Sequence, residues 1–248
     1  MGAHVNRSNA YESRCMSDVL GRTLRPGEFK LTEKAIKFCN ITNKDSVLDL
    51  GCGMGATIEY LYKQYIIKAT GIDPSEKLLG IAKEKCDFAN FVLGTGDMLP
   101  FPKESFQCVF AECTLSLMND LNQTIHEVNR VLKKNGWFII TDVFAKHPDE
   151  IKELENCSIH SCMRGLHNLD ILQEKLTNTG FKIAYFEDCS DLLKELLVKI
   201  IFNYGSMDIF WSKATGDTDC LSGIEFIEKL KLCKPGYFIL IGKKGKTK

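Results

Sequence analysis

The run VLDLGCGMG at residues 47–55 holds the residue types and spacing best suited to chemistry. Glycines at alternate positions let the backbone turn sharply after an apolar strand pattern, and the helix pattern from Ala56 offers unpaired N–H groups at its start. Such a turn can hold a nucleotide-bearing cofactor. Gly51, Cys52 and Gly53 are therefore predicted to contact one.

Two cofactors fit this turn. The sequence GCGMGA at 51–56 satisfies the dinucleotide pattern G-x-G-x-x-A, and Asp73 lies about 20 residues further on, where an acidic residue binds ribose hydroxyls. By itself this pattern predicts an NAD-dependent oxidoreductase. Asp49 favours S-adenosylmethionine instead, because a carboxylate beside the turn attracts the positively charged end of that cofactor and repels a pyrophosphate. Asp97 and Met98 add a carboxylate for an adenine amino group and an apolar side chain for the ring.

Strand and helix patterns alternate from Asn43 onward, which is typical of an α/β fold with a doubly wound, Rossmann-like sheet. Asp73 and Pro74 stand at a strand-to-helix junction, where Pro suits the first helical turn. The clearest helix pattern precedes a strand pattern, and its apolar stripe is Leu121, Ile125, Val128 and Leu132. The strand after it is predicted to start at Trp137.

The first 40 residues have too little apolar content for a core of their own. They are predicted to form an N-terminal helical cap on a main domain of residues 41–248. Residues 188–235 are too many for a plain loop and show amphipathic helix patterns, so a helical insertion is expected there. The apolar run at 237–241 follows without a clear crossover helix, which favours an antiparallel last strand in a sheet of seven.

Four segments resemble, in the right order, the successive motifs of class I S-adenosylmethionine-dependent methyltransferases. They are VLDLGCGMG (47–55), TGIDPS (70–75), GTGDMLPFPKESFQCVF (94–110) and EVNRVLKKNGWFIITD (127–142). The resemblance implies that the glycine turn passes the methionine part of the cofactor, that Asp73 binds the ribose, and that Asp97 and Met98 hold adenine. It further implies that Glu112 and Cys113 flank the cofactor. Gln107 stands where the family usually has Asp, and a structural effect is expected from it.

A looser resemblance covers residues 21–36. This stretch, GRTLRPGEFKLTEKAI, is similar to a cap in bacterial small-molecule members of the superfamily. It implies that Arg25 and Gly27 close over the cofactor. A capping loop ordered by Pro26 is the alternative interpretation.

Methyl transfer requires mainly that a nucleophile be held in line with the S–CH₃ bond, and a general base only if the nucleophile arrives protonated. Candidate bases follow the fifth strand at His147, His160 and His167. Several cysteines are predicted at the same edge of the sheet or in the insertion above it: Cys113, Cys157, Cys162, Cys189 and Cys220. Their plainest interpretation is as small packing residues.

The segment Cys162-Met163-Arg164-Gly165 is similar to one in arsenite methyltransferases that carries an arsenic-binding cysteine. The helix pattern ATIEY at 56–60 departs from that family, since it lacks the cysteine found there. Cys162 and His167 are the candidate catalytic residues. No CxxC occurs, so no metal site is expected.

The charge balance, the cysteine count and the hydropathy limit the kinds of substrate and partner that the sequence predicts. Lys+Arg and Asp+Glu both total 32, and this balance argues against nucleic acid as the substrate. Eleven cysteines, no apolar signal-peptide core and no membrane-spanning run predict a cytoplasmic protein with reduced thiols and no membrane. The predicted function is methyl transfer from S-adenosylmethionine to a small molecule. The alternatives are methylation of a thiol-bound ion such as trivalent arsenic, an NAD-dependent oxidoreductase, and a non-catalytic cofactor-binding module that serves a protein partner.

Overall fold

A seven-stranded sheet forms the centre of the fold, in a computed structural model that describes residues 10–154, 157, 161–215 and 220–245. The strands are β1 (Val47–Leu50), β2 (Ala69–Asp73), β3 (Asn90–Leu93), β4 (Phe106–Glu112), β5 (Leu132–Ala145), β6 (Phe181–Asp188) and β7 (Pro235–Lys244). Their order is β3-β2-β1-β4-β5-β7-β6. The first five strands are parallel, and β7 pairs antiparallel with β5 and β6. The predicted seven-stranded doubly wound sheet with an antiparallel last strand is confirmed.

Helices cover both faces of the sheet. They are α1 (Arg14–Leu20), α2 (Lys30–Cys39), α3 (Ala56–Tyr65), α4 (Glu76–Lys85), α5 (Leu121–Val131), α6 (Leu169–Asn178), α7 (Ser190–Tyr204), α8 (Met207–Thr215) and α9 (Cys220–Cys233). On one face α5 and α6 bury residues such as Ile125 and Leu172. On the other, α2, α3 and α4 share a core with α7, α8 and α9. The predicted helical insertion before the last strand is thus present as α7 to α9.

The N-terminal residues pack into the core of the main sheet. Val19 of α1 and Ile36 of α2 are buried in the same apolar cluster as Val47 of β1. The described residues also form five 3-10 helices: Ala10–Glu12, Gly21–Thr23, Leu115–Leu117, Pro148–Leu154 and Cys162–Gly165. The division into a cap of residues 1–40 and a domain of 41–248 stays a prediction.

Register brings the chemistry-bearing residues to one edge. Asp49 of β1 lies opposite Gly71 of β2 and Phe110 of β4. Asp73 and Glu112 are the last residues of β2 and β4. Because the carboxyl ends of parallel strands meet at the same edge, where α/β folds bind their ligands, the three carboxylates lie around one crevice.

The boundary between α5 and β5 differs from the prediction. Leu132 was expected on the helix stripe and Trp137 at the start of the strand, but the helix ends at Val131 and the strand begins at Leu132. Leu132 has extended dihedrals and pairs with Phe106 of β4. Leu132 is fully buried. A buried apolar residue fits the inner stripe of a helix as well as a core strand, so its apolar character did not distinguish the two.

Candidate cofactor and acceptor site

The glycine turn between β1 and α3 is tied to the end of β2. Gly51 has a φ of 74°, and a Cβ there would lie 2.1 Å from the Thr114 hydroxyl oxygen, so only glycine fits. The Gly53 N–H donates to Asp73 Oδ2 at 2.9 Å, and the Ser75 N–H donates to Oδ1 at 2.9 Å. The turn and the Asp73 carboxylate therefore form one preorganised unit.

Asp49 is a buried carboxylate with unused hydrogen-bonding capacity. It is 2% exposed, and its Oδ2 accepts no hydrogen bond from the residues that the structure describes. Burial first, and then the Glu112 carboxylate, raise the pKa of Asp49 to about 8, while Arg25 opposes the rise. A cation placed beside Asp49 would satisfy this carboxylate and lower its pKa.

Glu112 at the end of β4 is held by residues of the cap and of α3. Its Oε2 lies 3.0 Å from Arg25 Nη2. Its Oε1 accepts from the Thr32 hydroxyl at 2.7 Å, and its Oε2 accepts from the Thr57 hydroxyl at 2.9 Å. Arg25 also donates to the backbone oxygen of Glu28 at 3.0 Å. The segment around Arg25 is thereby fastened over the end of β4. The role of Glu112 as a direct cofactor ligand stays a prediction.

The other predicted cofactor residues in the turn and in the loops after β2 and β3 differ in burial. Cys52 is buried against β2, and burial raises the pKa of its thiol. Pro74 precedes Ser75, the N-cap of α4, so the expectation that it lies in the first helical turn is wrong. Asp97 is half-buried. Met98 is 76% exposed in the loop after β3. Contact of Asp97 and Met98 with adenine stays a prediction.

An apolar cleft lies beside the glycine turn. Residues from the cap, from β4, from the 3-10 turn at Cys162–Gly165 and from the insertion line it, among them Leu24, Cys113, Cys162, Leu193, Leu197 and Trp211. Its volume is about 30 Å³, which is roughly the space of one water molecule. The cleft is therefore nearly closed in this structure.

Two predicted cysteines, Cys113 and Cys162, line the cleft. The interaction with Cys162, together with burial, raises the pKa of Cys113 well above its usual range. Tyr11 accepts a hydrogen bond from the Cys162 N–H at 3.0 Å. Burial raises the pKa of Tyr11 as well. Tyr11 was not singled out from the sequence, since nothing distinguishes it there from its polar neighbours.

His167, the other candidate catalytic residue, is absent from the lining of the apolar cleft among the residues described. Its Nε2 lies 3.4 Å from Asp142 Oδ2, and its ring lies edge-on to Phe238. Asp142 in turn accepts hydrogen bonds from the Ser116 N–H and hydroxyl at 2.9 and 2.7 Å. The structure thus brings Cys162 to the cleft but does not bring His167 there. A catalytic role for either remains a prediction.

The remaining histidines and cysteines lie apart. His147 is exposed after β5, and His160 is outside the described residues. The Cys157 and Cys189 thiols donate to the backbone oxygens of Glu153 and Glu187, at 3.8 and 3.7 Å. The side chain of Cys220 is also outside the described part. Within that part, no group of three or more His, Cys, Asp or Glu side chains is placed to hold a metal ion.

The residues at the crevice fit a cofactor with a positive charge and a ribose. The unpaired Asp49 oxygen and the Asp73 carboxylate provide acceptors, and Arg25 is already paired with Glu112. A pyrophosphate would add negative charge to a crevice that already holds Asp49, Asp73 and Glu112, and Arg25 there is paired with Glu112. Of the described helices, none has both the length and the hydropathy to cross a bilayer.

Known proteins similar to this chain include methyltransferases. Residues 48–140 match the model of a methyltransferase domain family. The chain is 29% identical over 128 residues to a demethylmenaquinone methyltransferase of Thermotoga maritima, covering 51% of this chain and 56% of the relative. It is 32% identical over 178 residues to an uncharacterized protein of Haemophilus influenzae, covering 68% and 67%. The chain spans about half the length of the named curated relatives that it matches.

The fold has close counterparts among solved structures. One is phosphoethanolamine N-methyltransferase 2 of Haemonchus contortus in complex with phosphomonomethylethanolamine and S-adenosylhomocysteine. It superposes with a TM-score of 0.74 at 18% identity, covering 94% of this chain and 56% of that one. This likeness supports the fold, while the domain match and the order of the strands support the family. The chain belongs to the class I S-adenosylmethionine-dependent methyltransferase superfamily.

Proposed function

We propose that this protein transfers the methyl group of S-adenosylmethionine to a small-molecule acceptor. The observation that carries the proposal is the buried Asp49 carboxylate, whose Oδ2 is unpaired beside a turn of close-packed glycines. When bound, the cofactor supplies an electrophilic methyl on a sulfonium. The acceptor's electron pair forms the new bond to that carbon, and the electrons of the broken C–S bond remain on sulfur as a neutral thioether.

The chain's residues act by binding and orientation. Asp49 and Asp73 would hold the cationic and ribose parts, with Asp97 and Met98 at the adenine. The segment that carries Arg25, fixed to Glu112, excludes water from this edge. Alignment of acceptor and methyl can contribute several kcal/mol to the rate. Acceptors named for relatives, demethylmenaquinone and phosphoethanolamine, are both small molecules.

A second candidate is a soft trivalent ion as the acceptor. The presence of both Cys113 and Cys162 in the lining of the same cleft favours it. Thiols suit soft ions, and each would lose its proton on forming an S–metalloid bond. A single arsenite, present as arsenous acid, would give up two hydroxyls as water in forming two such bonds.

Calorimetric titration tests the main proposal. S-adenosylhomocysteine and S-adenosylmethionine are titrated into the protein, and NAD is titrated in parallel. We expect saturable binding of the two sulfur ligands, with a rise in the melting temperature, and no effect of NAD. A ligand at 100 times its Kd adds about 2.7 kcal/mol to the free energy of unfolding. Stabilisation by NAD alone would refute the methyltransferase assignment in favour of an oxidoreductase. Binding without turnover on any acceptor would favour a non-catalytic module.

A further inference from the structure

No Asp, Glu, Lys, Arg or His of the described residues lines the apolar cleft. We infer from this uncharged lining that the methyl acceptor presents a neutral, apolar body to helix α7. The inference rests on the proposed function, because the cleft receives an acceptor only if the cofactor lies at the glycine turn. It specifies the class of acceptor, which the family and the cofactor leave open.

The cleft is contiguous with the cofactor side. Leu24, which lines it, approaches to 3.9 Å of the point where a Cβ on Gly53 would stand. Cys113, which also lines the cleft, directly follows Glu112 and has a φ of 58° that turns the chain out of β4. A molecule in the cleft would therefore have one end near the turn and its body between the cap and α7.

The body of the cleft is apolar on every side that the structure describes. The inner face of α7 contributes Leu193 and Leu197, and α8 contributes Phe210 and Trp211. Burying apolar surface here stabilises a complex by about 25 cal/mol per Å². An unpaired ammonium or phosphate would instead carry a desolvation cost of several kcal/mol per charge, with no opposite charge among the described lining residues to offset it. The lining side chains that carry a polar hydrogen are Cys113, Cys162, Tyr11 and Trp211.

Entry requires the insertion to move. The present volume of about 30 Å³ is too small for an organic acceptor, so α7 or α8 must shift outward. The outer side of α7 faces solvent, because Val198 and Phe202 there are 68% and 89% exposed. The two helices join at Gly205, where a Cβ would meet nothing within 4 Å.

The chain contains two tryptophans, and only Trp211 lines the cleft. In the Trp137→Phe variant, fluorescence therefore reports the cleft alone. N-phenyl-1-naphthylamine, a neutral apolar probe, is titrated into this variant saturated with S-adenosylhomocysteine. We expect saturable energy transfer from Trp211 to the probe. O-phosphoethanolamine at millimolar concentration should not displace it.

Neighbouring positions on α7 provide a matched pair. Leu197→Gln, on the inner face, should weaken probe binding by at least about tenfold, the loss expected when a leucine contact is removed. Val198→Gln, on the outer face, should leave the probe Kd within about twofold, since the residue lies outside the cleft. Met207→Gln, from the start of α8, repeats the test should Leu197→Gln fail to fold. The S-adenosylhomocysteine melting shift shows whether each variant is folded.

Two results would overturn the inference. One is the absence of saturable probe binding by a protein that still binds S-adenosylhomocysteine. The other is displacement of the probe by O-phosphoethanolamine, which would indicate an acceptor with a charged body. Failure to bind S-adenosylhomocysteine is a different outcome, because it refutes the proposed function itself.

Discussion

Arg25 and Glu112 form an ion pair of 3.0 Å between the N-terminal cap and the end of β4, and their side chains are only 6% and 2% exposed. Thr32 and Thr57 complete the network: each accepts from an Arg25 nitrogen and donates to Glu112. A buried pair is worth little against an apolar replacement, but breaking it leaves a charge without a partner. This contact is therefore the main electrostatic link that fixes the cap over the crevice.

Replacing Arg25 by Met should destabilise the protein by about 3–5 kcal/mol, because Glu112 would remain buried without its cation. Urea unfolding measures the loss. Lys34→Met is the control, since Lys34 and Glu187 also join the cap to the sheet but are 40% and 37% exposed. That change should cost about 1 kcal/mol or less. Equal losses from the two variants would contradict the role assigned to the buried pair. The double variant Arg25→Met/Glu112→Met should recover much of the lost stability, because it leaves no unpaired buried charge.

Asp49→Asn should raise the stability of the ligand-free protein at neutral and higher pH. The folded pKa of Asp49, about 8, lies above the ordinary value of about 3.9 for the unfolded chain. The folded state therefore binds the proton more tightly, and the wild type loses stability as the pH rises from about 4 to 8. Asn never ionises and avoids this loss. Melting temperatures at pH 5 and pH 8 should diverge between the two proteins, with the larger advantage of Asn at pH 8. A constant difference would contradict the raised pKa.

The same substitution should weaken cofactor binding. In the wild type, binding a sulfonium or ammonium beside Asp49 favours its ionised form, so affinity for S-adenosylmethionine should rise with pH up to about 8. Calorimetry in two buffers of different ionisation enthalpy should detect release of a proton below that pH. The Asn variant should bind more weakly and show neither effect. An unchanged affinity would mean that Asp49 does not face the cofactor.

Gly51→Ala should abolish binding of S-adenosylhomocysteine. The added methyl would lie 2.1 Å from the Thr114 hydroxyl oxygen at a backbone φ of 74°, so the turn must change shape. Gly80→Ala, in α4, is the matched control, because a Cβ there meets nothing within 4 Å. It should bind normally and gain up to about 1 kcal/mol in stability. Thermal-shift titration compares the two, and normal binding by Gly51→Ala would contradict the close packing described here.

Local patterns predicted the positions of the site residues that lie where a strand leads into the next helix. The glycine turn and Asp73 were predictable because a buried strand, turn glycines and a helix start leave their marks within a few residues. The Arg25–Glu112 pair was only partly anticipated, since the resemblance of residues 21–36 placed Arg25 over the cofactor without naming its partner. The contact of Tyr11 with Cys162 joins segments far apart in the chain, and no local pattern marks it.

His167 illustrates why position along the chain was insufficient. It follows β5 at the expected edge, but successive residues of a strand point to opposite faces. Val143 lines the cleft, while Asp142 binds Ser116 and lies next to His167. The sequence predicted the edge but not the face. The His167 imidazole lies instead against Asp142 and Phe238, and Ser116 donates a hydrogen bond to Asp142.

The two cysteines that line the cleft, Cys113 and Cys162, give the second candidate function a direct test. In the Trp137→Phe variant, arsenite at micromolar concentration should change the fluorescence of Trp211, which lines the same cleft. Cys162→Ser and Cys113→Ser should each weaken the response by about tenfold or more, since loss of one of two S–metalloid bonds removes well over 1.4 kcal/mol. Cys189→Ser is the control, because the Cys189 thiol donates to the Glu187 backbone oxygen outside the cleft. The equilibrium affinity should change little with pH while the Cys113 thiol is protonated in the free protein, because each thiol proton leaves as water with a hydroxyl of arsenous acid. No response from the variant with both cleft cysteines intact would refute a soft ion as the acceptor.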